Sequence, residues 1–284
     1  EIASCLVGSE MCIRDRASVA CQAPSFLAWY PSDCPPGNAH FGRAPEHRTE
    51  TTSMTQDAID TVTDLEVDRK AMEALIERAA GNPLSFQDCD FQDADFSRLD
   101  LRGAQFTACA IANASFQGAT LADTSWVRCR GGQANFASAD ASDAVFQNCD
   151  LNNANWRRAR LAAARYHGCK LTGSDFDGIA CLGWTVEECL LVGALLRGVS
   201  FRKSNIMQLD FSDADLAGSD FRDAVFHGGS LRNANLKNVR FEGADLREVD
   251  LSGIDLTVAA RLAGATISKA QAAVLLAELR ISVI

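Results

Sequence analysis

The sequence predicts an all-β solenoid, a coil of short extended sides and tight corners with side chains filling its inside. Two observations predict it. A large apolar residue recurs at every fifth position from Phe86 to Leu256, giving 35 consecutive pentads without insertion or deletion. Of these centres 13 are Phe, 13 Leu, two Ile, two Trp, one Tyr and one Val, and only Gly131, Ala141 and Cys181 break the rule. Two residues before each centre the side chain is small, with 15 Ala and 10 Ser, Thr or Cys among the 35 positions. A repeat this regular decides the architecture before local propensity does.

The pentad dictates the coil's geometry. The small residue and the centre are two apart, so an extended segment points both inward. The next inward residue comes three further on, which needs a reversal of direction that a four-residue turn supplies. Its third residue lies two after the centre, where a type II turn requires positive φ. That position holds 12 Gly, five Asn and six Asp among the 35, the residues that best tolerate it. Cys89, Cys109, Cys129, Cys149, Cys169 and Cys189 recur every 20 residues at the small inward position. Stacking of like on like then gives four pentads per turn and a square coil.

The elements follow in chain order. Five of six prolines fall before residue 54, and Ser4 to Arg16 resembles translated sequencing-library adapter. Residues 1–53 are therefore set aside as an artefactual or disordered tail, and the protein is taken from Met54. Residues 54–83 read as a helical cap, with Leu65, Met72, Leu75, Ile76 and Ala79 on one side and Gly81 and Pro83 as its stop. Pentads occupy residues 84–258. Residues 259–284 form a second cap, where Ser268 and Gln271 make a capping box before Ala272, Leu275, Leu276 and Leu279. An apolar strand, Ile281 to Ile284, ends the chain. Solenoid ends expose core and unpaired backbone, so both caps are expected on physical grounds. Within the coil, Cys181 underfills a centre while Trp184 overfills a small position. The indole is expected to take up the missing volume, with a local bulge.

The formal charge of −10 argues against direct nucleic-acid binding, which needs a basic footprint. The longest apolar run, Cys189 to Leu196, is far short of a membrane span. No basic-then-apolar leader is visible, so the cytoplasm is the expected compartment. The cysteine column is a line and not a tetrahedral cluster, so neither zinc nor disulfides are expected from it. No nucleophile–base order or phosphate loop is present, and a filled coil offers no obvious active-site pocket. No enzyme, metal or cofactor is expected.

The motifs Ala94-Asp-Phe96, Ala154-Asn-Trp156, Ala214-Asp-Leu216, Ala234-Asn-Leu236 and Ala244-Asp-Leu246 resemble the A(D/N)LXX pattern of the pentapeptide-repeat family. The resemblance implies a right-handed quadrilateral β-helix. The helix-then-strand ending is similar to that of the quinolone-resistance pentapeptide proteins, and implies a homodimer through Leu275, Leu279, Ile281 and Val283. Those proteins are DNA mimics that bind DNA gyrase or topoisomerase IV, which implies protection of the enzyme from quinolones or toxins. This chain departs from the plasmid-borne type in lacking any insertion within the coil. On the third side, the residues before each centre run Asp95, Ser115, Asn135, Asn155, Asp175, Leu195, Asp215, Asn235 and Asp255. Asp95, Asp175, Asp215 and Asp255 are the partner-binding candidates on that reading. Arg157, Arg158, Arg160, Arg165 and Lys170 form a basic belt that cuts across it. The alternative is a structural or adaptor rod with another protein partner, whose carboxylates solubilise the coil.

Overall fold

The computed structural model describes residues 61–254, 262–278 and 280–281. The expectations placed on residues 1–53 and on Asp255, Leu256, Leu279 and Val283 lie outside these. The coil starts earlier than the pentads suggest. Strand β1 (Thr61–Thr63) pairs with β2 (Ser85–Gln87), placing Val62 on Phe86. Helix α1 (Arg69–Ala79) follows as an insertion between the first two rungs. Leu65, expected on the helix, instead lies in that opening half-rung and is exposed.

From β2 the rungs repeat every 20 residues, as the cysteines imply: Phe86 stacks on Phe106 of β3 (Gln105–Thr107), and Phe106 on Trp126 of β4 (Ser125–Val127). Strands β5 (Val145–Gln147), β6 (Arg165–His167), β7 (Thr185–Glu187), β8 (Asn205–Met207) and β9 (Val225–His227) complete one parallel sheet in sequence order. This sheet is one side of the square. The other three sides are single-residue bridges between tight turns, such as Asp95 to Ser115 and Asp100 to Thr120. The architecture is the quadrilateral β-helix that the repeat predicts.

The corners follow the turn argument. On the three bridge sides the centre's carbonyl accepts the N–H three residues later, as in Ala94 to Phe91 at 3.2 Å and Ala104 to Leu101 at 3.0 Å. Two residues after each centre φ is positive at every position from Asp88 to Gly253, Glu248 alone excepted. Even Arg98 (φ 64°) and Ala163 (φ 54°) adopt it. Their N–H groups donate to the next rung, Arg98 to Gln117 at 3.0 Å and Ala163 to Leu182 at 2.9 Å, so the ladder holds a conformation that L residues disfavour.

Inside, the centres stack in columns. Phe106 and Trp126 lie face to face at 3.9 Å, as do Phe136 and Trp156 at 4.1 Å. The undersized centres match oversized neighbours. A Cβ on Gly131 would meet Ile111 Cγ1 at 2.7 Å and Leu151 Cδ2 at 2.8 Å, so its space is already filled. Thiols of the cysteine column are buried, and Cys109, Cys129, Cys149 and Cys169 each donate to a centre's carbonyl 23 residues back, at 3.3–3.7 Å. Ser174 and Ser219 make the same bond with their hydroxyls, at 2.9 and 2.8 Å. A small donor is tolerated there because its hydrogen has a partner.

Trp184 points inward, as expected, within 5.6 Å of Phe201, 6.0 Å of Phe176 and 6.3 Å of Tyr166 between ring centroids. The bulge is also present. β7 and β8 keep only the Glu187–Met207 pair, and Ala180 has no bridge to Ser200.

Both ends are closed by side chains that imitate the missing rung. Ahead of α1, Asp68 caps the helix by accepting from Ala71 N at 2.7 Å. Met72 is fully buried on the coil, and the Arg69 guanidinium donates to Asp95 O at 3.1 Å and Ser97 O at 3.2 Å. At the far end Leu262 and Ile267 add a partial rung, with Thr266 bridged to Asp245. Helix α2 (Lys269–Glu278) then opens with the predicted capping box, Ser268 N to Gln271 Oε1 at 2.7 Å and Gln271 N to Ser268 Oγ at 3.2 Å. Gln271 Nε2 also donates to Leu246 O and Val249 O at 2.6 and 2.7 Å.

Among the described residues two buried donors in the core have no partner, Trp156 Nε1 and Tyr166 Oη. An unpaired buried hydroxyl costs about 1–3 kcal/mol. Tyr166→Phe is therefore expected to leave the urea midpoint unchanged or raise it, with an unaltered m-value. A lower midpoint would mean that the hydroxyl has a partner in solution.

Candidate partner-binding faces

The aspartates and asparagines before the centres have a structural task. Within a bridge-side pentad, the N–H groups of the centre and of the residue two after it donate to the next rung. The N–H three after the centre closes the turn, and the one before the centre donates to the preceding rung. One amide is left over, that of the residue after the centre. The Asx side chain two residues earlier accepts it: Asp90 from Gln92 at 2.9 Å, Asn135 from Ala137 at 3.1 Å, Asp210 from Ser212 at 2.9 Å and Asp250 from Ser252 at 2.9 Å. On the sheet side that amide lies within a strand. There the position before the centre is Ser85, Gln105, Ser125, Val145, Arg165, Thr185, Asn205 and Val225, with one Asx among the eight. The Asp/Asn preference marks the turn sides, a difference visible in the sequence when the pentads are read four at a time.

Three of the four candidate aspartates serve this way. Asp95 accepts Ser97 N at 2.9 Å, Asp175 accepts Asp177 N at 2.9 Å, and Asp215 accepts Ala217 N at 3.2 Å. Each also has an arginine: Asp95 with Arg69 at 3.9 Å, Asp175 with Arg157 at 3.7 Å, and Asp215 with Arg197 in direct hydrogen-bond contact. Asn235 Nδ2 donates to Asp215 as well, at 2.9 Å. Hydrogen bonds from Ser97, by hydroxyl and amide, hold the Asp95 carboxyl below the usual carboxylate range. The structure aligns these aspartates in one column, as the sequence predicts. It does not leave them as a bare negative face.

The whole third side bears this out. Its outward positions between 95 and 238 carry Asp95, Asp175, Asp177 and Asp215 against Arg98, Arg157, Arg158, Arg197 and Lys237. The second side is more acidic, with Asp90, Asp93, Asp150, Asp210, Asp213 and Asp250 against Arg130, Lys170 and Arg232. The basic belt is partly absorbed within the coil. Arg160 pairs with Asp140 and Lys170 with Asp150, both at 3.8 Å across one rung.

The cysteine column carries no chemistry of its own. Contact with neighbouring thiols, then burial, raises Cys109, Cys149 and Cys189. Burial opposes charge at every rung, and Cys129 and Cys169 both donate to carbonyls, which a thiolate cannot do. The column is neutral thiols throughout.

At the C-terminal cap the dimer candidates separate. Leu275 packs into the chain's own core. Gln271 must face the last rung to cap Leu246 and Val249, and Leu275 lies one helical turn on, along the same face. It is therefore not available to a second copy, contrary to the expectation. Ile281 and Val274 are exposed, at 47% and 46%.

Among the described residues no helix is long and apolar enough to cross a membrane. The pentapeptide repeat region description matches residues 82–156, and the eight-copy pentapeptide repeats description matches 142–178, 187–223 and 230–257. No curated protein matches the sequence. Among solved structures, a trypsin-treated variant of QnrB1, a plasmid-mediated fluoroquinolone resistance protein, is similar at TM-score 0.60 and 24% identity. That match covers 70% of this chain and 100% of that one. A second trypsin-treated QnrB1 variant gives TM-score 0.58 and 23% identity, covering 70% of this chain and 99% of that one.

One carboxylate has a fold role that pH can test. Asp220 is buried between Arg222 and Arg240, each at 2.8 Å, and the Arg222 hydrogen bond holds its carboxyl below the usual range. A depressed folded value means that its stabilisation is complete above the unfolded value, about 3.9. It is lost as pH falls below that and through the folded value. Acid unfolding followed by circular dichroism should show this loss below about pH 4. Asp220→Asn is expected to be less stable at neutral pH and to have a flatter acid limb. An identical acid limb in both proteins would remove Asp220 from the account.

Proposed function

The chain belongs to the pentapeptide-repeat family, and from that premise we propose that it is a non-enzymatic rod that binds a protein partner through its outer columns. The observation that carries this reading is the filled interior. Centres such as Phe86, Phe116, Trp126, Phe146 and Leu191 are fully buried, so the coil offers a surface and not a reaction chamber. The cytoplasm is the compartment that goes with this reading.

The partner we favour is a type II topoisomerase, DNA gyrase or topoisomerase IV, with the rod standing in for DNA. Two observations support it: the net charge of −10 and a backbone similar to the whole of a fluoroquinolone resistance protein. Docking would then use the second side, where Asp210 and Asp213 keep their charge excess, in preference to the Asp95–Asp175–Asp215 column. A supercoiling assay with purified gyrase, with and without a quinolone, is expected to show relief of drug inhibition or direct inhibition of supercoiling. Asp213→Lys should weaken that effect mainly through a slower on-rate at low salt. No effect on either reaction would leave the adaptor reading, a rod with a different protein partner.

A tail-to-tail homodimer belongs to the same proposal. With Leu275 buried, it would rest on Val274 and Ile281, an exposed apolar pair on the cap. Light scattering at micromolar concentration is expected to give twice the chain mass, and Ile281→Asp to return the monomer. A monomer mass for the unaltered protein would end the dimer reading.

A further inference from the structure

One rung of the coil is unzipped. The amides of Gly178, Cys181, Gly183, Ser200 and Asn205 make none of the cross-rung bonds that their counterparts one rung earlier make, such as Leu161 to Ala180 at 2.7 Å and Thr185 to Ala164 at 2.9 Å. The gap runs around a corner from the fourth side onto the sheet side. It is closed at one end by Phe176 N to Leu195 O at 2.9 Å and at the other by Glu188 N to Met207 O at 2.9 Å. Its cause lies in the sequence. Cys181 is too small for a centre, Trp184 too large for a small position, and the indole wedges between Phe176 and Phe201.

The gap has a floor and a charged rim. A cavity of about 250 Å³ opens at it, with Trp184, Val186, Phe201, Ile206 and Leu209 as its apolar lining. Gly178, Gly183, Ser200 and Asn205 are exposed residues, and the Ser200 amide meets the Cys181 thiol. Leu182, beside the gap, is 88% exposed, more than any other large apolar side chain among the described residues. The rim is polar in the electrical sense: Arg202 and Lys203 stand at the corner between the fourth and sheet sides, Glu187 and Glu188 at the sheet end. Arg202 is shared with Asp223 at 3.8 Å and the glutamates with His167 at 3.8–4.0 Å, while Lys203 has no ion-pair partner among the described residues. Unpaired ladder groups beside apolar surface are the template that an extended chain completes.

We propose that this gap is a docking site for an extended segment of a protein partner. The segment's backbone pairs with the free ladder groups, and one apolar side chain fills the cavity against Trp184 and Phe201. Charge complementarity sets the rest of its chemistry: an acidic residue over Arg202 and Lys203, and a basic residue over Glu187 and Glu188. The inference rests on the reading of the chain as a protein-binding rod and names where one partner contact lies.

Hydrogen exchange read by mass spectrometry tests it on the full chain. The probes are blocked heptapeptides with an alternating apolar middle, one series acidic-then-basic at its ends and one with both ends glutamate. The acidic-then-basic series should slow exchange in 178–186 and 200–206, about tenfold at ten times its Kd, and leave distant rungs unchanged. The double variant Cys181→Leu, Trp184→Ala restores the pentad rule. It should slow exchange in those segments without peptide and lose the response to peptide. Glu187→Lys serves if that variant does not fold, and should move the preference to the all-glutamate series. The proposal is overturned if no peptide slows exchange at the gap in millimolar excess, or if the restored or charge-reversed variant responds as the unaltered protein does. A rod that binds its partner by another side would fail this test and still act in the gyrase assay, so the two failures are distinguishable.

Discussion

The structure depends on one backbone constraint. A chain that turns a corner every five residues must still find a partner for five amides per pentad. Stacking supplies three of them through the ladders to the rungs on either side, and the turn closes a fourth. The fifth falls to the side chain before the centre, and a buried amide left unpaired would cost about as much as a hydrogen bond is worth. The Asp or Asn that recurs there is thus fixed by the geometry of the corner, before any question of what the surface binds. This is why a rod with many carboxylates need not carry a negative face. Several of those carboxylates accept an amide, and arginines such as Arg197, Arg222 and Arg247 pair with the same groups.

The same accounting explains the ends. The first rung's outward carbonyls, Asp95 O and Ser97 O, correspond to Ser115 O and Gln117 O one rung later, which accept from Phe96 and Arg98. With no rung before them, Arg69 supplies the donors. At the other end Val249 O lacks a following rung, and Gln271 takes that place. Each cap helix therefore does two things, covering apolar centres with one face and placing one long polar side chain over the open ladder. Arg69 and Gln271 are the fold's answer to exposed strand edges.

Much of this was legible in the residues. The period of five and the cysteine period of 20 fixed the coil, its four sides and the positive φ two after each centre. The capping box and the inward Trp184 were also readable, because each is a local rule applied to local residues. Three things were not. The opening half-rung at Val62 and Val67 is separated from its partners by a helix, so its register is 24 residues and not 20. Leu275 was assigned to a second copy because nothing in the helix pattern says which apolar stripe meets the last rung; Gln271 decides that by a contact 22 residues away. The aspartate column read as a docking face because charge is visible in a sequence, whereas the amide each carboxylate accepts is visible only once the pentads are wound.

Where the pentad rule is broken, the consequences differ with what stands nearby. Gly131 breaks it without loss, since Ile111 and Leu151 already occupy the volume and the ladder at Gly131 N remains bonded at 2.6 Å. Cys181 is different because its compensation comes from the wrong position. Trp184 fills the core from a site meant for alanine, and the rung above cannot settle on it. Apolar burial was kept at the cost of five cross-rung bonds between backbone groups that the coil elsewhere pairs. A close-packed core tolerates conserved volume only if the volume arrives in the right place. Here it did not, and the misfit made a break in the wall of the coil, with apolar residues on its floor and opposite charges along its rim.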